Sequence, residues 1–92
     1  MQAGVESYNS KLISSATTTT IFTGSGTLGG VFCSSSSSGT VTVYDGTSAS
    51  DTKIVDTFTA VAGTYHTLPF AFQKGLTIVT GGTISCAVAW AS

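Results

Sequence analysis

The sequence predicts an all-β protein, an antiparallel two-sheet β-sandwich of jelly-roll-like form with about seven or eight short strands. Three observations lead there. Several short runs alternate with period two, most clearly Thr40-Val41-Thr42-Val43-Tyr44, where the valines share one face and the threonines and Tyr44 the other. Turn signals rich in glycine separate the runs, as at Gly24-Ser25-Gly26, Asp45-Gly46, Lys74-Gly75 and Gly81-Gly82. No window longer than a turn shows a helical period. Apolar residues on one face only imply antiparallel pairing.

Taken in order, residues 1–10 are polar and irregular, with Val5 and Tyr8 as their large anchors. They read as an N-terminal arm that either frays or packs on a neighbouring subunit. Residues 11–92 form the single sandwich domain. Residues 11–23 make one or two strands, because four consecutive threonines at 17–20 are stiff at χ1 and disfavour helix. Residues 27–34 make the next strand, in which Gly29-Gly30 marks a bulge or a close backbone approach. The serine run 34–38 reads as the tip of a hairpin leading into strand 40–45, and residues 46–52 as a loop of small residues.

Residues 53–61 form a strand that places Asp56 on the face of Ile54, Phe58 and Ala60. A buried carboxylate needs partners, so Asp56 is expected near an edge or a register-shifting bulge. Leu68, Phe70 and Phe72 alternate in residues 65–73, and Pro69 confines that stretch to an edge or a strand start. Lys74-Gly75 is expected to return the chain as a hairpin through 76–80, and Gly81-Gly82 to make a second hairpin into 83–91. That last strand carries Ile84, Cys86, Val88 and Trp90 on one face. Small residues, Ser85, Ala87, Ala89 and Ala91, occupy the other, which suits close approach by another sheet or subunit. The expected core is Ile21, Val31, Cys33, Val41, Val43, Ile54, Phe58, Phe70, Phe72, Ile78, Ile84, Cys86, Val88 and Trp90.

Composition narrows the function. Ninety-two residues support one small core, so added burial between subunits is expected. Charged residues are 8% of the chain, with a net charge of −1, which protects poorly against self-association. Three lysines, Lys11, Lys53 and Lys74, cannot build a phosphate-neutralising patch, so nucleic acid is not an expected partner. No stretch reaches the roughly 20 apolar residues of a membrane helix, and no membrane partner is expected. With Met1 as the natural start and no signal-like beginning, the chain is expected in a cytoplasm at first, with Cys33 and Cys86 as thiols.

Catalysis is not expected. His66 is the single histidine, and no serine sits in a nucleophile-elbow context. Cys33, Cys86 and His66 give at most three zinc ligands without ligand spacing. Asp45 and Asp51 flank one loop without the spacing of a calcium-binding hand. No cofactor or metal is therefore expected. The surface aromatics remain, as a protein interface or a sugar platform. The candidate interface residues are Val5, Tyr8, Leu12, Tyr44, Tyr65 and Trp90.

The run GTLGGVFCSSSSSGTVTVYDGTS, followed by LPFAFQKGLTIVTGGTISCAVAW, resembles small virion proteins of tailed bacteriophages. The similarity covers roughly residues 26–90 and lies in strand grammar and short phrases. It implies a β-sandwich structural protein of the particle, of the capsid decoration or cement type, often trimeric. The implied partners are the major capsid protein or another virion protein, and further copies of the chain. The implied location is the virion, after the host cytoplasm. The alternative is a tail or fibre module that binds a host glycan.

Overall fold

The computed structural model describes residues 8–92, and Val5 lies outside them. It is all-β. The strands are β1 (Asn9–Ile13), β2 (Thr18–Thr23), β3 (Gly26–Asp45), β4 (Thr52–Thr59), β5 (Thr64–Thr67), β6 (Ala71–Phe72) and β7 (Gly75–Ala91). Every pairing is antiparallel. The expected arm gives Asn9 and Ser10 to β1, so the first strand begins two residues before the expected boundary at Lys11.

The spine is the ladder between β3 and β7, of 20 and 17 residues. On its β7 side, β2 pairs with the first part of β7 and β1 with the last part. On its β3 side, β6 and β5 pair with the first part of β3 and β4 with the last. The hydrogen bonds thus join all seven strands into one unclosed sheet. The all-β, antiparallel expectation holds, while the hydrogen bonds do not divide the strands into the two sheets of the expected jelly-roll-like sandwich.

This one sheet doubles back on itself. Phe22 pairs with Leu76 near the start of β7, yet its ring lies 4.8 Å from that of Trp90 near the end. Fourteen residues of straight strand would span about 46 Å. The longest dimension of the described residues is 38 Å. A second contact bridges the two halves where Phe58 of β4 meets the His66 ring of β5 at 5.3 Å.

The fold line explains two expectations that fail. The serine run is not a hairpin tip, and Gly81-Gly82 is not a turn. They face each other in the middle of the long ladder, with Ser37 opposite Thr83 and Thr40 opposite Gly81. Ser38 and Gly39 together oppose Gly82, which is a β-bulge. Ser38 has φ 58° and Gly82 φ 70°. A Cβ on Gly82 would collide with the Ser38 carbonyl oxygen. Small residues that tolerate these conformations let both strands bend together without reversing.

The expected hairpin at Lys74-Gly75 also fails, since β6 pairs with Gly26 and Thr27 of β3 and not with β7. Asp45 Oδ1 accepts the N–H groups of Gln73 and Lys74 at 2.9 and 2.8 Å and holds that connection across the two ends of the sheet. Asp56 lies as expected, on edge strand β4 beside a register shift, paired to Lys53 at 3.2 Å.

The core fills the inside of the fold. Nine of the expected residues are buried: Val31, Cys33, Val41, Val43, Phe72, Ile78, Ile84, Cys86 and Val88. Ile21, Ile54, Phe58 and Trp90 pack partly buried against them. Phe70 is exposed, because residues 68–70 leave the sheet between β5 and β6. Ile13, Leu28, Ala60 and Leu76 are core residues that the pattern did not single out.

Candidate protein-interaction face

The doubled sheet has two outer faces. One belongs to the half built from β1, the last part of β7, the first part of β3, and β5. Here Val31, Cys33, Cys86, Val88 and Ile13 point inward. Their strand neighbours therefore point outward. Register places Leu12 opposite Ala87, Ala87 opposite Phe32, and Phe32 opposite Tyr65, one row across four strands. The next row is Ser10, Ala89, Gly30 and Thr67. Neither row contains a charged residue.

The large members of this face are open to solvent. Leu12 is 66% exposed, Tyr65 46%, Tyr8 44% and Phe32 41%. Cross-strand apolar neighbours normally stabilise a sheet by covering one another. Here Ala87, between Leu12 and Phe32, is too small to cover either.

The glycine pair explains where the tyrosines sit. A register shift between Leu28 and Gly30 confirms the expected bulge. The close approach is made by the His66 carbonyl oxygen, which a Cβ on Gly30 would strike, and by two aromatic rings. A Cβ on Gly29 would stand 2.9 Å from Tyr8 Cε1, and one on Gly30 would stand 2.7 Å from the Tyr65 ring. The absence of two side chains thus makes a floor on which Tyr8 and Tyr65 lie. Burial against this floor pushes the Tyr65 hydroxyl above its ordinary value, and the neighbouring Tyr8 adds to the shift.

Of the six residues singled out in the sequence, Tyr8, Leu12 and Tyr65 converge on this face. Tyr44 belongs to the other half, on the outer row Thr20, Thr77, Tyr44 and Lys53, with the Lys53 ammonium 6.0 Å from its ring centre. Trp90 points inward against Phe22 and is no part of an outward patch. Its Nε1–H is buried without a partner among the described residues. Phe32, the centre of the exposed row, was missed. Its signal was present, since a strand that buries Val31 and Cys33 must turn Phe32 out.

The groups weighed for chemistry have local tasks. Asp51 Oδ2 accepts the N–H groups of Thr47 and Ser48 at 2.9 and 3.1 Å and closes the loop after β3. The N–H of Lys74, then those of Gln73 and Gly75, hold the Asp45 carboxyl below its usual range, with burial opposing. His66 Nε2 accepts the Val61 N–H at 3.2 Å, and Nδ1 lies 3.3 Å from the Val31 carbonyl oxygen. Among the described residues, no three His, Cys, Asp or Glu gather closely enough to hold a metal ion. Comparison with protein-family models, with curated proteins and with solved structures finds no match.

Proposed function

We propose that this protein is a non-enzymatic structural component of a tailed-bacteriophage particle, a decoration or cement protein that stabilises the shell through protein–protein contacts. The observation that carries the reading is the bare, charge-free row Leu12, Ala87, Phe32 and Tyr65. The resemblance of residues 26–90 to small virion proteins supports the same role. The partners are the major capsid protein or another virion protein, together with copies of the chain itself, a trimer being the favoured assembly. The protein works in the virion after passing through the host cytoplasm.

The size of the face fits repeated contact better than a lone tight complex. Four strands about 4.8 Å apart and about five residues long cover on the order of 300 Å² in projection. A stable two-protein interface buries about 800 Å² on each side. One such face is therefore weak, and many engaged together on a lattice are not. The host-glycan alternative draws on the Tyr8–Tyr65 pair. It calls for a carboxylate or amide beside the rings: the three aspartates, Asp45, Asp51 and Asp56, border the other half, while Asn9 of β1, next to Tyr8 in the chain, brings an amide to this one.

The test uses the full chain with Leu12→Asp and Phe32→Asp combined. At high protein concentration, light scattering should show reversible self-association for the wild type and a smaller species for the variant. Particles carrying the wild-type protein should survive heat or low salt better than particles without it, and the variant should restore little of that resistance. A monomeric wild type, with particle survival equal in its presence and absence, would sink the proposal. Glycan-array binding lost on Tyr65→Ala would put the glycan reading in its place.

A further inference from the structure

Cys33 and Cys86 stand directly opposite each other in the spine, one in each of the two longest strands. Both are free thiols and both are fully buried. From the sequence, 53 positions apart, they had no reason to meet. Directly opposed residues of an antiparallel pair have Cα atoms about 4.5 or 5.5 Å apart. Either spacing falls within the roughly 4.4–6.8 Å that a disulfide spans. The structure assigns this pair as a latent cross-strand disulfide site, a covalent staple across the β3–β7 ladder that forms when the reduced protein meets a low-molecular-weight disulfide.

The exchange balances without another reagent. One cysteine thiolate attacks the small disulfide, forms a mixed disulfide and releases one small thiol. The second cysteine, as thiolate, then attacks the protein sulfur of that mixed disulfide and releases the second small thiol. The protein loses two protons and two electrons, and the small disulfide gains them.

The surroundings set the rate. Burial, helped by the facing Cys33, pushes the Cys86 thiol up to about 11, so it is rarely a thiolate at neutral pH. Access lies under short edge strands. Ile13 of the five-residue β1 pairs beside Cys86, and Thr64 of the four-residue β5 beside Cys33. The folded protein therefore oxidises slowly, and the chain oxidises readily while it refolds. This inference does not depend on the proposed function.

The experiment oxidises the full chain with oxidised glutathione in two arms, one folded and one refolding from denaturant. Intact mass and peptide mapping identify the product. The expected result is a monomer lighter by two hydrogens with Cys33 linked to Cys86, formed faster in the refolding arm. Closing a loop of this length should raise Tm by about 20 °C, reversibly with reductant. Cys33→Ser and Cys86→Ser should each abolish the mass change and the Tm shift. Stable glutathione adducts, chain-to-chain dimers or free thiols after oxidative refolding would overturn the assignment, as would an intramolecular link that lowers Tm.

Discussion

The two halves of the sheet share their long strands and differ in what covers their outer faces. In the half flanked by β2 and β4, the outer residues are mostly threonines, and the protein's own chain uses them. Thr77 donates its hydroxyl to the Gly46 carbonyl at 2.8 Å, Thr20 donates to Thr47 at 3.1 Å, and Thr42 meets Thr57 at 2.6 Å. Thr77 and Thr42 end up buried on a face that alternation would turn to water. In the half flanked by β1 and β5, the corresponding face carries Leu12, Phe32 and Tyr65, and they stay exposed. A polar face closed by its own loop is complete within one chain. An apolar face left open needs something outside it.

The comparison rests on the fold line that separates the halves, and breaking that line should have the largest effect. Gly82→Ala puts a side chain at φ 70° and against the Ser38 carbonyl. The left-handed conformation alone costs about 1–2 kcal/mol. The backbone collision raises the loss to roughly 3 kcal/mol or more. Gly63→Ala is the control, with φ 77° but nothing within 4 Å, and should cost only the left-handed conformation itself, about 1–2 kcal/mol. Denaturant unfolding of the two variants measures the gap, and equal losses would show that the fold line does not depend on Gly82.

The next test sets one face against the other. Thr77→Val removes the hydroxyl bound to Gly46 while keeping the shape. It should cost about 1–2 kcal/mol of stability, because a buried carbonyl loses its partner. It should leave oligomeric state unchanged. The Leu12→Asp and Phe32→Asp pair should do the reverse, weakening the proposed self-association while the isolated chain keeps its fold. If Thr77→Val also weakened it, the two faces would not divide the work as described.

Much of this was legible in the sequence, and the failures share a cause. Alternation identified the strands around Val41 and Val43, around Ile54 and Phe58, and around Cys86 and Val88, because period two is a local property. The small-residue face of Ser85, Ala87, Ala89 and Ala91 was legible for the same reason. Ser34–Ser38 and Gly81-Gly82 were misread as turns because serine and glycine serve tight turns and bulges equally well. Only the opposing strand decides between them, and it lies more than 40 residues away. The convergence of Tyr8 with Tyr65, and of Cys33 with Cys86, depends on that same long-range register.

The smallest effect tests how the halves are held at their far ends. Asp45 closes β3, and its carboxylate binds the N–H groups of the connection from β6, in one half, to β7, at the start of the other. Its folded carboxyl is held below the usual 3.8, chiefly by the Lys74 N–H. A depressed carboxyl stabilises the fold at pH values above its unfolded pKa. That contribution is lost as pH falls through the lower, folded value. The site is open to water, so the contribution is small, on the order of 1 kcal/mol or less after screening. Asp45→Asn should lower Tm by a few degrees at neutral pH. The two proteins should converge as pH drops from about 5 to below 3, since the wild type alone then loses the charge. Parallel Tm curves across that range would mean that the carboxylate charge does not hold the two ends together, and that the neutral contacts around Phe22, Phe72 and Trp90 suffice.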